Sequence, residues 1–344
     1  MNTTRLRLLA VLAVPFTLGL ALVADELAFK PAKDSKSQKE LRIEAEFRVR
    51  DASLSFNGEP VPADVISQVT SQDLLLTIGV EVTETFLSTK DGAPTDLLRS
   101  YDALSTRFEV GDEVQEPESG PNLEGKTVRF RWSESDSAFK KTFHESTGDE
   151  DLLEALDDDM ELRALLPTKK VASGDIWEVK GEKIAALFFP GGLPGGGGGD
   201  EGGPDLEAVG RELSEQLERS FRDFKVVCTY KGARDETGTQ VGEVGFAYEG
   251  KASLDLAPVL QRVIDSLGEQ APDFDLSATA SMTLDGEGRM LWDLASGTLH
   301  SYEMKADVTF GIAVEVSGEQ QGQQIEIALS GTLGGDVTWE MKRK

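Results

Sequence analysis

The chain has very few of the residues that build most catalytic and metal sites. Its 344 residues include one cysteine and two histidines. The single cysteine, Cys228, excludes an internal disulfide. It alternates with Phe224, Val226 and Tyr230, which predicts a buried and unreactive thiol on the apolar side of a strand. No group of histidine, cysteine and acidic residues has the spacing of a zinc site. We therefore expect no bound metal and no cofactor.

Motifs for nucleophilic catalysis are also missing. His144 lies beside Glu145, His300 lies between Leu299 and Ser301, and neither is near a Gly-x-Ser-x-Gly nucleophile elbow. The 62 acidic residues always allow a pair of carboxylates to be chosen, so a carboxylate-based hydrolase remains an alternative without named residues. We assign no catalytic residue, and an enzyme is the least favoured class.

Positive charge is scarce. The formal net charge is −27, from 35 basic and 62 acidic residues. Such a surface repels phosphate backbones and anionic lipids, which excludes nucleic acid as a partner class. Acidic runs such as 157–159 lack the spaced ligands of a calcium loop, and we interpret them as a solvated face.

Only the N-terminus carries a long apolar run. Arg5 and Arg7 precede the run 8–23, and small residues follow at Ala24, before Asp25, with Ala21 as a second cleavage position. These features predict a cleaved signal peptide over residues 1–24, with an uncleaved anchor as the alternative. They place the protein in the periplasm or outside the cell. No later stretch is long enough to span a bilayer, so no stable membrane span is expected after signal removal.

What the chain has in abundance is alternation of apolar and polar residues. A period of two over many residues indicates strands with one face in a core and one in water. The clearest examples lie at the C-terminus and are Tyr302, Met304, Ala306, Val308, Phe310, Ile312, Val314 and Val316, then Ile325, Ile327, Leu329, Leu333, Val337, Trp339 and Met341. The sequence therefore predicts long antiparallel strands.

Composition suggests two structural regions. Residues 25–38 are charged and aperiodic, which predicts a flexible leader. Residues 39–189 form an N-terminal β-rich region with one helix. The stretch 190–204 is rich in glycine and proline and predicts a linker or disordered loop. Residues 205–344 form a C-terminal region with an antiparallel meander.

Helical spacing occurs in three places. Leu152, Leu153, Leu156, Met160 and Leu162 predict a helix in the first region. Two more are predicted over 205–222 and 258–267. Asp285-Gly286 predicts a hairpin turn. The fold class that follows is α+β, with long, curved antiparallel sheets and a few helices packed on one face.

Two short segments are similar to each other. Residues 174–180 and 335–342 each contain a Gly-Asp pair followed by a strand with Trp and Glu. The similarity is compatible with two similar halves that arose by duplication, and equally with chance.

The export signal, the long alternating strands, the Gly-Asp-x-Trp-Glu strand at 174–178 and the segment Trp292-Asp293-Leu294-Ala295-Ser296-Gly297 resemble secreted bacterial β-rich proteins that have no assigned activity. The architecture is also similar to the periplasmic lipoprotein-carrier type of fold. That resemblance implies an apolar groove, and it transfers no site residue.

Three functions follow, in order of preference. The first is an exported binding or carrier protein for an apolar small molecule, such as a lipid, or for a protein segment. The second is a structural or assembly component of the cell envelope, and the third is the hydrolase. For the first, the predicted groove lining is Val308, Phe310, Ile312, Ile327 and Leu329.

Overall fold

We describe the protein from a computed structural model. The structure describes residues 24–111, 113–115, 123–180, 184–192, 216, 219, 224–258, 260–261, 274–320 and 323–344. Most of the predicted helix 205–222 and most of the predicted helix 258–267 lie outside these residues. So does most of the glycine-rich stretch 190–204.

The described strands form one antiparallel sheet. Their bounds are β1 Ser35–Phe56, β2 Glu59–Pro60, β3 Asp73–Lys90, β4 Ala93–Val110, β5 Glu113–Gln115, β6 Thr127–Ser133, β7 Ala138–Phe143, β8 Ile176–Lys180, β9 Lys225–Glu236, β10 Thr239–Asp255, β11 Phe274–Asp293, β12 Thr298–Gln320 and β13 Gln323–Arg343. The strand order is β7-β6-β4-β3-β1-β13-β12-β11-β10-β9-β8, with β2 beside β1 and β5 beside β4. The first and last long strands therefore pair at the centre of the sheet.

The prediction of an α+β fold with helices packed on one face is wrong. About 67% of the described residues are in strands and 9% in helices. The helices with described bounds are α1 (Ala63–Thr70) and α2 (Ala185–Phe188), and neither is long enough to cover a sheet of this size. Among the described residues, no helix has the length and apolar character needed to cross a membrane.

The leucines that predicted a helix after residue 149 belong to irregular chain. It contains only two 3-10 turns, Glu150–Leu153 and Arg163–Leu165. Carboxylates of the acidic run bind nearby backbone groups, as Asp157 Oδ1 accepts from the N–H of Asp159 and Asp159 Oδ1 from that of Glu161. Side chains that bind backbone in this way compete with helix formation. We call residues 144–171 and 184–192 the cover, because they lie across one face of the sheet.

The predicted turn at Asp285-Gly286 is also wrong. Strand β11 runs straight through it to Asp293. An added Cβ on Gly286 would lie 2.3 Å from the hydroxyl of Tyr248, and one on Gly288 would lie 2.4 Å from the ring of Phe246. These glycines leave space for aromatic rings of the neighbouring strand. The sequence alone does not distinguish such a glycine from one in a turn.

Residues 25–34, part of the predicted flexible leader, are packed against the sheet. Leu27 and Phe29 are buried, and the Phe29 ring lies edge-on to Phe86 with centroids 5.4 Å apart. The N–H of Lys30 donates to Gly297 O, and that of Asp34 donates to Phe86 O. We call residues 25–34 the strap.

One hydrophobic core joins both regions of the chain. It includes Val82 and Phe130 from the first region and Tyr230, Trp292 and Met341 from the second. The division at 190–204 stays a prediction. The two similar segments are not equivalent in the sheet, because β8 is a short edge strand whereas β13 is long and central.

Candidate functional site

The apolar face of the sheet changes from buried to exposed along β1, β12 and β13. On β12, Tyr302 and Met304 are buried, as is Val308, whereas Phe310 is 36% exposed and Ile312 41% exposed. All of these side chains occupy even positions and share one face. The face therefore has a covered half and an open half.

The cover protects the first half. Trp339 Nε1 donates to Phe188 O at 2.9 Å, and the Tyr302 hydroxyl donates to Leu187 O at 3.0 Å. The Phe188 ring packs edge-on against both Trp339 and Tyr248. In both hydrogen bonds a side chain of the sheet donates to a backbone carbonyl of the cover. These bonds therefore hold the backbone of the cover in place.

The open half is entirely apolar. It consists of four cross-strand rows, which are Val49, Leu333, Phe310, Met282 and Ala252, then Ala52, Gly331, Ile312, Ala280 and Leu254, then Leu54, Leu329, Val314 and Ala278, and finally Phe56, Ile327, Val316 and Leu276. By strand spacing the four rows measure about 20 Å along β12 and about 19 Å across five strands. Within it Phe56, Phe310, Ile312 and Leu329 are exposed, Ala252 and Ala278 are buried, and the other members are half-buried. Apolar patches of this extent are often functional.

The five predicted groove residues lie on this face, at different depths. Val308 is buried at the border with the covered half. Phe310, Ile312 and Leu329 are exposed, and Ile327 is half-buried. The structure brings them together, and their role as ligand contacts stays a prediction. Trp339, from the same alternating pattern, is buried, as predicted for a core residue.

A small cavity lies where the cover meets the sheet. Its volume is about 30 Å³, and Leu41, Ile43, Ile78, Met160 and Phe189 are among its lining residues. That volume accepts about one water molecule and no organic ligand. The open half, rather than this cavity, is the candidate site.

Four charged side chains are buried beneath the cover. Lys39 Nζ pairs with Glu84 and lies 2.6 Å from Glu161 Oε1, while Arg99 donates to Glu84 Oε1 through Nε and Nη2. Each of these side chains is at most 3% exposed. We call Lys39, Glu84, Arg99 and Glu161 the charge cluster.

The charge cluster ties the cover to the sheet. Arg99 donates to the carbonyls of Asp157 and Gly191, and the N–H of Leu299 donates to Glu161 Oε2 at 2.5 Å. Burial would lower the pKa of Lys39, but Glu161 and Glu84 raise it. Burial would raise the pKa of Glu84, but Lys39 and Arg99 lower it. Burial raises the pKa of Glu161, and the attraction of Lys39 lowers it by less than burial raises it.

Sequence reasoning missed this cluster, although a signal was present. Lys39 is in phase with the buried positions Leu41 and Ile43, and Arg99 is in phase with Leu97 and Tyr101. A charged residue in the apolar phase of a strand indicates a buried partner. The pair Glu84 and Glu161 is enclosed by side chains, so it does not form the open acidic cleft that a glycosidase requires.

A second acidic group on the cover makes stability depend on pH. Burial raises the pKa of Asp158 to about 6, despite its ion pair with Arg163. Between pH 6 and 4, Asp158 is therefore protonated in the folded chain and ionised in the unfolded chain. Lowering the pH through this range favours the folded state. We expect the free energy of unfolding to rise by about 1 kcal/mol from pH 7 to pH 5. Urea unfolding at the two pH values measures it.

Asp158→Asn is the matched variant for that experiment. It removes the Asp158 carboxyl and keeps the size of the side chain, so the share of the rise that belongs to Asp158 should disappear. Any rise that remains belongs to Glu161, whose pKa is also raised. An unchanged rise in the variant would contradict the role of Asp158. Glu84, Asp96 and Asp293 have lowered pKa values, and their effect appears only at more acidic pH.

The opposite face of the sheet is polar and strongly acidic. One cross-strand row places carboxylates side by side on five neighbouring strands, and its members are Glu249, Asp285, Asp307, Asp336 and Glu46. All five are exposed, and the described residues include no group of three or more potential ligands arranged to hold a metal ion. This row is an exposed acidic face. The interpretation of the run 157–159 as a solvated face is wrong, because Asp158 is half-buried and Asp159 is buried.

The prediction of a buried, unreactive cysteine is confirmed. Cys228 is buried, and burial raises the pKa of its thiol to about 12, so the thiolate is not formed at neutral pH. Trp292 and Trp339 are buried in the core, while Trp132 and Trp177 are half-buried. None of these residues contributes to the open half.

Comparisons with known proteins give no family for this chain. No family model and no curated protein matches it. Among solved structures, an outer membrane channel from Pseudomonas putida F1 is 8% identical, with 92% of this chain and 98% of that chain covered and a TM-score of 0.19. The InvG secretin domain β-barrel of the Salmonella SPI-1 injectisome is 9% identical, with 90% and 63% covered and a TM-score of 0.14, so the match spans less than two thirds of its length. Neither superposition is close enough to support an inference about fold or function.

Proposed function

We propose that this protein is an exported binding or carrier protein whose open half receives an apolar molecule. The observation that carries the proposal is the exposure of Phe310, Ile312 and Leu329 within an uncharged area that continues the core. Exposed apolar surface of this extent favours association with apolar partners. The predicted signal peptide supports a periplasmic or extracellular location.

The chemistry of the open half favours a lipid-like ligand over a polar one. Its four rows contain no charged or hydrogen-bonding side chain. A polar ligand would lose its hydrogen bonds to water there without replacement. The charge cluster is enclosed between the cover and the sheet, so its charges do not reach a ligand on the open half.

Binding is tested with a fluorescent apolar probe, N-phenyl-1-naphthylamine, titrated into the purified protein. Phe310→Glu places a carboxylate in the middle of the open half, and we expect it to weaken probe binding about tenfold or more. Extraction of the purified protein and mass spectrometry of the extract identify any lipid that remains bound.

Ile176→Glu is the matched control. Ile176 is 67% exposed and lies on the edge strand β8, away from the open half. The Ile176→Glu variant should bind the probe as tightly as the unmodified protein does. Failure of the unmodified protein to bind, or equal losses in the two variants, would remove the proposal.

A structural or assembly role in the envelope is the second candidate. The short edge strand β8 pairs only with β9 among the described strands, and it exposes Ile176. An edge of this kind can accept a strand from another protein. Crosslinking in cells that reports a reproducible partner through β8, together with absent probe binding, would favour this role over the first.

A further inference from the structure

The strap begins with a set of contacts at Asp25. The backbone N–H of Asp25 donates to Val171 O at 2.8 Å, and Asp25 O accepts from the N–H of Val171 at 2.9 Å. The Asp25 carboxylate accepts a hydrogen bond from the Tyr230 hydroxyl at 2.6 Å. Ala24, the residue before it, is exposed. Asp25 is therefore held by backbone and side chain, and its neighbour is not enclosed.

The strap then crosses the end of the sheet from β9 to β3. It runs from Tyr230 on β9 to Phe86 on β3, which are six strand spacings apart. Six spacings are about 29 Å, and ten extended residues reach about 33 Å, so the strap has little slack. Leu27 and Phe29 enter the core on the way. The strap is an integral part of the fold.

We infer that the Ala24–Asp25 peptide bond is a processing site and that Asp25 is the N-terminal residue of the mature protein. This inference rests on the export part of the proposed function and is independent of ligand binding. In the reaction, a membrane-bound signal peptidase adds water across the bond. The water oxygen joins the Ala24 carbonyl carbon to give a carboxylate, the C–N bond breaks, and the Asp25 nitrogen becomes an ammonium group.

The structure limits where such a cut can fall. A cut beyond Leu27 would remove a core side chain, and a cut beyond Phe29 would remove two. A cut after Ala21 would leave the apolar residues 22–24 attached to an exposed end. A cut before Asp25 leaves every strap contact in place and no apolar overhang.

The new ammonium group would be bound where it forms. Val171 O already accepts from the Asp25 nitrogen, and the Asp25 carboxylate is part of the same residue. Both favour the charged form, so the α-amino pKa should be above the ordinary range of about 7.7–8.0. A merely trimmed and free terminus would titrate within that range.

The test is expression of the complete 344-residue chain in an exporting bacterial host, followed by intact-mass measurement and N-terminal sequencing. We expect the exported protein to lack residues 1–24 and to read Asp-Glu-Leu-Ala-Phe. A start at Leu22, or an exported chain of full length, would overturn this inference and leave the binding proposal standing. A full-length chain retained in the cytoplasm would overturn the inference and the export proposal together.

Two variants and one titration complete the test. Ala24→Leu should abolish the cut before Asp25, whereas Ala21→Leu should leave it unchanged. The opposite pattern would contradict the assigned bond. Titration of the α-amino group of the mature protein by NMR should give a raised pKa, and an ordinary value would show that the terminus is not docked.

Discussion

Replacing Lys39 by methionine is expected to cost about 3–5 kcal/mol of unfolding free energy. Methionine fills a similar volume but removes the only cation that Glu161 contacts among the described residues, leaving that carboxylate with the N–H of Leu299. Glu84 keeps Arg99. A carboxylate left unpaired in the core must be protonated or hydrated, and either loosens the cover. Urea unfolding followed by tryptophan fluorescence measures the loss.

Lys36→Met is the control on the same strand, because Lys36 is exposed and should change stability by less than about 0.5 kcal/mol. A second variant separates lost pairing from lost packing. Adding Glu161→Gln to Lys39→Met removes the orphaned charge, and we expect about 2 kcal/mol of the loss to return. A double variant no more stable than Lys39→Met would show that the charge cluster does not act through Glu161.

Replacing Phe29 by alanine is expected to cost about 3–5 kcal/mol, because it empties a buried aromatic site in the strap. Phe29 is 5% exposed, packs edge-on against Phe86, and lies 5.3 Å from the guanidinium carbon of Arg163. The loss should appear in the unfolding midpoint. It would also loosen the ordered start of the chain, with faster proteolysis of residues 25–34.

Phe310→Ala is the matched control for this substitution. The same atoms are removed, but Phe310 is 36% exposed and its main aromatic contact is Phe47 at 5.7 Å. We expect a loss of no more than about 1 kcal/mol, together with weaker probe binding. Equal losses at the two positions would mean that residues 25–34 do not pack as described.

The covered and open halves divide two tasks on one apolar face. The cover, the strap and the charge cluster enclose the first half and supply stability. The second half leaves apolar side chains such as Ile312 and Leu329 partly exposed to water. This exposure contributes nothing to stability, and a partner that covered these side chains would bury them. The proposed binding function would explain why these apolar side chains are exposed.

Alternation predicted which side chains share a face better than it predicted the fold. The face shared by Phe310, Ile312 and Leu329 follows directly from a period of two. Their exposure does not follow, because Tyr302 and Met304 show the same pattern and are buried. The difference comes from the cover, whose position depends on contacts between residues far apart in sequence.

The helix prediction failed for a related reason. Leu152, Leu156 and Met160 are buried, as the spacing predicts. An irregular segment can bury the same side chains when the sheet supplies partners for its backbone, as Arg99 does for Asp157 O and Lys141 for Leu156 O. Periodicity identifies which residues face the core and leaves the backbone conformation open.

The sequence by itself determined that this protein is built from long antiparallel strands with one apolar side, and that Cys228 is buried and unreactive. Tertiary structure alone decided that β1 pairs with β13 at the centre, that the strap closes one end, and that charges are buried beneath the cover. The physical reason is that the local backbone conformation sets which face of a strand a side chain occupies. Its neighbouring strand, its cover and its ion partner depend on contacts with residues that are far away in the sequence.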